Sequence, residues 1–167
     1  MTARTSSGQR DYSQVVVPAH VEPEQRRTAL IDALWEALSP QGVSWIGFYS
    51  KASDRDEMIL EECRDKPACS PIGLHGVCGR GWRESTAVVV NDVAVLGKDY
   101  VACDPRDRSE VVVPIFAENG DCEGVLDADS FEIGAFSEHD ARSLDAIVRA
   151  CGISVRDGLS PLKIVTL

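Results

Sequence analysis

The chain holds only three histidines, too few for a His-rich metal centre. Its six cysteines include no Cys-x-x-Cys pair, so a zinc ribbon or a thioredoxin-type dithiol motif has no basis. His75 and Cys78 are three residues apart, but no second ligand pair accompanies them, and no metal site is expected. No apolar run approaches the ~18–20 residues that span a bilayer. Positive charge is scarce as well: 17 Lys and Arg stand against 27 Asp and Glu, a net charge of −10. Nucleic acid and anionic membrane surfaces are therefore not expected as partners, because both require a basic patch. The polar stretch Met1–Arg10 lacks the apolar core of a secretory signal, and a cytoplasmic protein is expected.

What is present fits one domain. A chain of 167 residues, 44% hydrophobic and 26% charged, can enclose a core without covalent staples. Six cysteines in a reducing compartment point to buried fillers or redox chemistry rather than to a disulfide framework. Apolar residues at Leu30, Ala33, Leu34, Ala37 and Leu38 recur at helical spacing, predicting a helix over about Pro23–Leu38. Pro23 suits its first turn. Five strand-like runs follow, each bounded by turn residues: Ser44–Tyr49, Met58–Glu62, Ala87–Asn91, Glu110–Phe116 and Gly124–Asp129. Polar links at Lys51–Asp56 and Ala117–Asp121 suit antiparallel hairpins, whereas 64–84 (loop or short helix) and 93–108 are irregular. Ser137 caps a last helix with acids in its first turn. Its apolar stripe runs through Leu144, Ile147, Val148, Cys151 and Val155, and Gly158 and Pro161 stop it. The order predicts an α+β domain, an antiparallel sheet with the N- and C-terminal helices on one face. The expected divisions are an arm at 1–21, the domain at 22–160 and a tail at 161–167.

Strand periodicity selects the side chains that meet. Trp45, Gly47 and Tyr49 share one face, and Ile46 and Phe48 the other. Gly47 leaves a gap between two amphipathic aromatics, a pocket floor if it is not simply core. Leu126 and Ala128 share a face, so Asp127 and Asp129 share the opposite one. Asp is depleted in strands, and two projecting together suggest a cation-binding wall unless they are merely solvated. Glu110 opens a strand apolar enough to be buried on both faces, either at a wet rim or at the mouth of a site. Cys69, Cys78 and Cys103 lie in irregular segments beside Gly, Pro and Asp and invite a redox reading. Cys63, Cys122 and Cys151 read as inert.

In order, the segments Lys-Pro-Ala-Cys69, Gly-Val-Cys78-Gly, Asn91-Asp92-Val93, Ala-Cys103-Asp, Arg108-Ser109-Glu110-Val-Val-Val-Pro114 and Gly124-Val-Leu-Asp127-Ala-Asp129-Ser130 resemble those of the free methionine-(R)-sulfoxide reductases, enzymes built on the GAF fold. The resemblance spans about residues 23–155. It implies Cys103 as nucleophile, Cys69 as the main resolving thiol and Cys78 as a further redox cysteine. It also implies that Trp45 and Tyr49 enclose the substrate and that Glu110, Asp127 and Asp129 bind it. The chain departs from the family at Tyr100, where a His is usual, in a Cys69–Cys78 loop one residue short, and at Arg80-Gly81-Trp82. The expected activity is reduction of free methionine sulfoxide through a cysteine sulfenic acid and an intramolecular disulfide. Either Glu110 or Asp127 would protonate the sulfoxide oxygen. No cofactor is expected beyond an external reductant such as thioredoxin, and the family suggests a homodimer. The alternative is a GAF-type module that senses a small ligand or redox state without catalysis.

Overall fold

The computed structural model describes residues 8–17, 19–101, 103–157 and 160–167. Ala102 of the Ala-Cys-Asp segment and Gly158, the expected helix stop, lie outside the described residues. A 3₁₀ turn at Pro23–Gln25 leads into helix α1, Arg26–Leu38. Strands β1 (Trp45–Lys51), β2 (Glu57–Arg64) and β3 (Ile72–Gly73) follow, then helix α2 (Val77–Glu84) and β4 (Ala87–Val90). After a 3₁₀ segment at Val93–Asp99 come β5 (Ser109–Phe116), β6 (Cys122–Ser130), α3 (Glu138–Ala150) and β7 (Ile164–Thr166).

The seven strands form one sheet in the order β3-β2-β1-β6-β5-β4-β7. Each neighbouring pair is antiparallel except β4 with β7. The α+β class holds, with α1 and α3 sharing one face as expected. Their buried Leu30, Ile31, Leu34, Leu144 and Val148 pack on Ile46, Phe48, Val111, Val113, Leu126 and Ala128. The opposite face carries Trp45, Tyr49, Val88, Val112 and Val125, covered by α2 and the loops around it.

Three elements depart from the periodicity. The stretch 161–167, expected as a tail, instead supplies β7. It runs parallel to β4 because α3 carries the chain back across the sheet, and Leu167 N–H closes the pairing on the Val89 carbonyl at 2.8 Å. Helix α2 forms from a Gly-rich segment of poor helix propensity, because tertiary packing needs its glycines. A Cβ on Gly79 would come within 2.2 Å of the Leu74 carbonyl oxygen, so only glycine lets this helix approach the preceding loop. Helix α3 ends at Ala150, earlier than its apolar stripe suggests. Gly152 takes a left-handed φ of 68°, and the Gly152 and Ile153 N–H groups donate to the Arg149 and Val148 carbonyls, each at 3.0 Å. This is a Schellman stop, and it leaves Val155 exposed beyond the helix.

At its other end, α3 anchors the N-terminal arm. Asp140, the third residue of the helix, accepts the Ser137 backbone N–H at 2.8 Å as a capping box requires. Its other oxygen takes Arg10 Nη1 at 2.6 Å and the Tyr12 hydroxyl at 2.7 Å. Arg10 is buried and lies 4.7 Å over the Phe136 ring. Truncating one member of a buried, hydrogen-bonded ion pair typically costs 3–5 kcal/mol. Arg10→Ala is expected to lower unfolding free energy by about 3 kcal/mol, read as a shift in the urea midpoint at unchanged m-value.

Candidate active site

Three central strands set out the site by register. Trp45 on β1 lies opposite Asp129 on β6, which lies opposite Glu110 on β5. One row further along, Gly47 lies opposite Asp127 and Asp127 opposite Val112. The period-two alternation therefore delivers Trp45, Tyr49, Glu110, Asp127 and Asp129 to one face, away from α1 and α3. They line a cavity enclosing about 440 Å³ of empty space, counting its open mouth. Cys78, Tyr100, Cys103 and Asp107 complete its walls. Cys69 stands just outside this lining, hydrogen-bonded to Cys103. The structure thus brings together all eight residues singled out from the sequence. Cys63, Cys122 and Cys151 do not line the cavity.

Gly47 does not leave an open floor. The Trp45 ring leans back across it, and a Cβ at Gly47 would fall 2.4 Å from that indole. The ring so placed has its centroid 6.1 Å from that of Tyr49, tilted by 39°. Both polar tips are used on the segment that carries Cys69. Trp45 Nε1 donates to the Lys66 carbonyl at 2.9 Å, and the Tyr49 hydroxyl to the Cys69 carbonyl at 2.8 Å. A second tie joins the two thiol-bearing loops directly. Lys66 pairs with Asp104, next to Cys103, and Arg106 Nη2 holds the same carboxylate at 2.8 Å. The Phe131 ring lies beneath both cations, 4.5 Å from Arg106 and 5.4 Å from Lys66. These hydrogen bonds, from Arg106 first and Lys66 next, keep Asp104 ionised well below the usual carboxylate range.

The acids inside the cavity are pushed the other way. Glu110 and Asp127 are each only 5% exposed, and the charges facing them are further carboxylates. Burial, then Asp127 and Asp129, drive Glu110 well up from its ordinary value. Burial pushes Asp127 up to about 7, opposed by hydrogen bonds from Glu110 and from Cys78, whose Sγ donates to Oδ2 at 3.3 Å. The two acids thus hold a proton between them near neutrality, and Glu110 Oε2 and Asp127 Oδ1 are buried with no hydrogen-bond partner. Asp129, partly buried, is raised by burial and then by Asp127. The thiols are raised too: Cys103 up to about 12, by burial first and by its hydrogen bond to Cys69 next, and Cys78 by burial and Asp127.

Sequence reasoning did not single out Asp107. It is buried, accepts from Ser44 Oγ at 3.3 Å and is pushed up to about 6, chiefly by desolvation. It lies in an irregular segment without period, so no sequence signal marks it. Tyr100, noted only as a departure from a family pattern, faces the acids and is held neutral by burial and by Asp129.

The GAF domain family model matches residues 22–156, and the chain belongs to that family. GAF domain-containing protein A of Dictyostelium discoideum is 33% identical over 106 residues, 63% of this chain and 65% of that protein. Similarity also extends to an enzyme, free methionine-R-sulfoxide reductase of Saccharomyces cerevisiae. That protein is 32% identical over 120 residues, 70% of this chain and 66% of its own length. The chain therefore spans just under two thirds of these two curated relatives. A crystal structure of free methionine-R-sulfoxide reductase from Neisseria meningitidis in complex with its substrate superposes with a TM-score of 0.69. Its identity is 37%, over 75% of this chain and 73% of that one. The family expected from the cysteine and acidic segments is borne out. No helix among the described residues is long and apolar enough to cross a membrane.

A carboxyl whose value is raised on folding holds its proton more tightly in the native state. The native state then binds more protons than the unfolded chain between about pH 4 and pH 7, so this contribution to stability falls as pH rises through that window. Asp127→Asn is expected to be more stable than the parent at pH 8, by on the order of 2 kcal/mol, and to show little difference at pH 4. Urea unfolding at the two pH values measures this.

Proposed function

We propose that this protein reduces free L-methionine-(R)-sulfoxide to methionine. One observation carries the reading: Cys103, in hydrogen-bond contact with Cys69, opens onto a cavity whose innermost acids, Glu110 and Asp127, each bury an oxygen with no hydrogen-bond partner. An amino acid's ammonium supplies the missing positive charge, and Glu110, Asp127 and Asp129 receive it. The Trp45 and Tyr49 rings suit the methyl and sulfur end. A residue inside a peptide has no ammonium to offer, so the same acids select the free amino acid.

The chemistry needs a proton on the sulfoxide oxygen before sulfur becomes electrophilic. Glu110 and Asp127 share a proton near neutrality, which suits either as the donor. The Cys103 sulfur attacks the sulfoxide sulfur as its own proton is lost and bonds to it; the protonated oxygen then passes to the Cys103 sulfur as the substrate S–O bond and the new S–S bond break, which releases methionine and leaves Cys103 as a sulfenic acid. Deprotonating a thiol raised to about 12 is costly at neutral pH, and proton transfer from Cys103 back into the acid pair offsets that cost within the same turnover. The Cys69 thiol then displaces water to form the Cys69–Cys103 disulfide. Its contact with Cys103 favours Cys69 as resolving thiol over Cys78, which is turned to Asp127. Cys78 is the further redox cysteine of the resemblance.

Two electrons come from the thiols, so no bound cofactor is required. Both Cys69 and Cys103 are exposed, and a thioredoxin-type dithiol can reach the bridge to restore them by exchange. Cytoplasmic location and a homodimer belong to the same proposal, the homodimer resting on the family resemblance. A redox sensor has a use for two thiols in contact but none for a proton-bearing acid pair beside them.

The test is NADPH consumption with a thioredoxin system and free methionine-(R)-sulfoxide. Cys103→Ser is expected to lose more than about 10³-fold in kcat, and a variant as active as the parent would overturn the assignment. The N-acetylated sulfoxide is expected to react with kcat/KM lower by at least about 30-fold, as loss of a buried charge partner predicts. Cys69→Ser is expected to release one equivalent of methionine in a single turnover and then stall with thioredoxin, as quench-flow and mass spectrometry would show.

A further inference from the structure

We propose that Cys78, Glu110 and Asp127 form a binding site for a divalent cation of the zinc type at the base of the cavity. One ligand atom from each of the three lies within 4.8 Å of the other two. Zinc bonds of about 2.3 Å to sulfur and 2.0–2.2 Å to carboxylate oxygen hold tetrahedral ligands roughly 3.3–3.8 Å apart. The Cys78 Sγ and Asp127 Oδ2 atoms already stand at 3.3 Å. The site needs contraction of no more than about 1.5 Å, well within side-chain rotation.

A second observation points to a ligand rather than to a merely crowded set of acids. Glu110 Oε2 and Asp127 Oδ1 are buried with no hydrogen-bond partner, and both residues line the cavity. Orphaned buried acceptors are costly, and a cation satisfies them. Magnesium and calcium fit poorly, since they ask for six or more hard oxygen donors. One thiolate with two carboxylates suits zinc, cobalt(II) or iron(II). The cavity supplies the open fourth position for water.

Binding is an exchange of cation for protons. The Cys78 thiol gives up its proton, the acid pair gives up the proton it shares, and both pass to buffer as the metal–sulfur and metal–oxygen bonds form. Affinity therefore rises with pH. On the functional reading above, the substrate ammonium and the metal use the same carboxylates, so the cation is a reversible inhibitor that competes with free methionine sulfoxide.

Cobalt(II) is the probe, titrated into the full-length reduced protein. A thiolate-to-cobalt charge-transfer band in the near ultraviolet, together with intense tetrahedral d–d bands, is expected, and zinc should abolish both while magnesium leaves them unchanged. Cys78→Ser is expected to remove the charge-transfer band and to weaken zinc binding by at least about 100-fold, beyond what a lost outer-shell contact costs. Glu110→Gln, which keeps the side-chain shape, should weaken zinc binding while retaining the band at higher cobalt. Circular dichroism confirms that each variant is folded. Absence of the band in the parent, or its persistence in Cys78→Ser, overturns the site. These spectra require no turnover: a cobalt band in a protein without reductase activity would refute the functional reading alone, and activity without the band would refute the metal site alone.

Discussion

The cavity is governed by a charge that the fold leaves uncompensated. Glu110 and Asp127 sit on neighbouring central strands, each 5% exposed, where ordinary packing would place Val or Ile. Ionised and unpaired, they would be intolerable in such surroundings. The protein keeps them by letting them hold protons, and the adjacent Cys78 thiol gives Asp127 its one donor outside the pair. The groups nearby answer to that constraint: Glu110 and Asp127 are raised toward their protonated forms, and the Cys78 and Cys103 thiols are held neutral. A sheet built for stability alone would not contain this pair.

The same constraint explains the division of labour between the two faces of the sheet. On the α1 and α3 side, Ile46, Phe48, Val111, Val113 and Leu126 are fully buried and apolar, a packed layer that fixes strand register. Register in turn decides which residues stand beside one another on the far face, since a slip of one residue would turn every side chain over. The rows Trp45–Asp129–Glu110 and Gly47–Asp127–Val112 are therefore held by a core that never touches the site. Removing order from the helical face would cost the cavity its geometry without altering any of its residues.

Periodicity made part of this readable beforehand. Helices α1 and α3 carry a repeat of 3.6 and the five longer strands are apolar runs bounded by turn residues, and the shared face of Asp127 and Asp129 follows from strand alternation alone. Elements whose existence depends on distant partners had no such signal. Strand β3 has two residues and β7 three, and α2 is a glycine-rich helix made stable by contacts with Leu74 and the sheet. The Ile164-Val165-Thr166 run is β-branched, a cue to a strand though not to its parallel pairing. In the site, Trp45 and Tyr49 were legible as a pair, but Gly47 was misread as empty space because the direction of the indole depends on packing. Asp107 and the meeting of Cys78 with Glu110 and Asp127 come from separate segments joined only by topology, which no local pattern encodes.

The hydrogen bonds from Trp45 and Tyr49 to the backbone at Lys66 and Cys69 have a mechanical corollary. The rings that wall the cavity and the segment that carries Cys69 are parts of one lever. A backbone shift of this segment must either carry both rings along or break both tethers. On the proposed mechanism, whatever backbone movement accompanies closure of the disulfide is handed on to both aromatic walls, so the oxidised and reduced forms would present differently shaped chambers to the next molecule at the door.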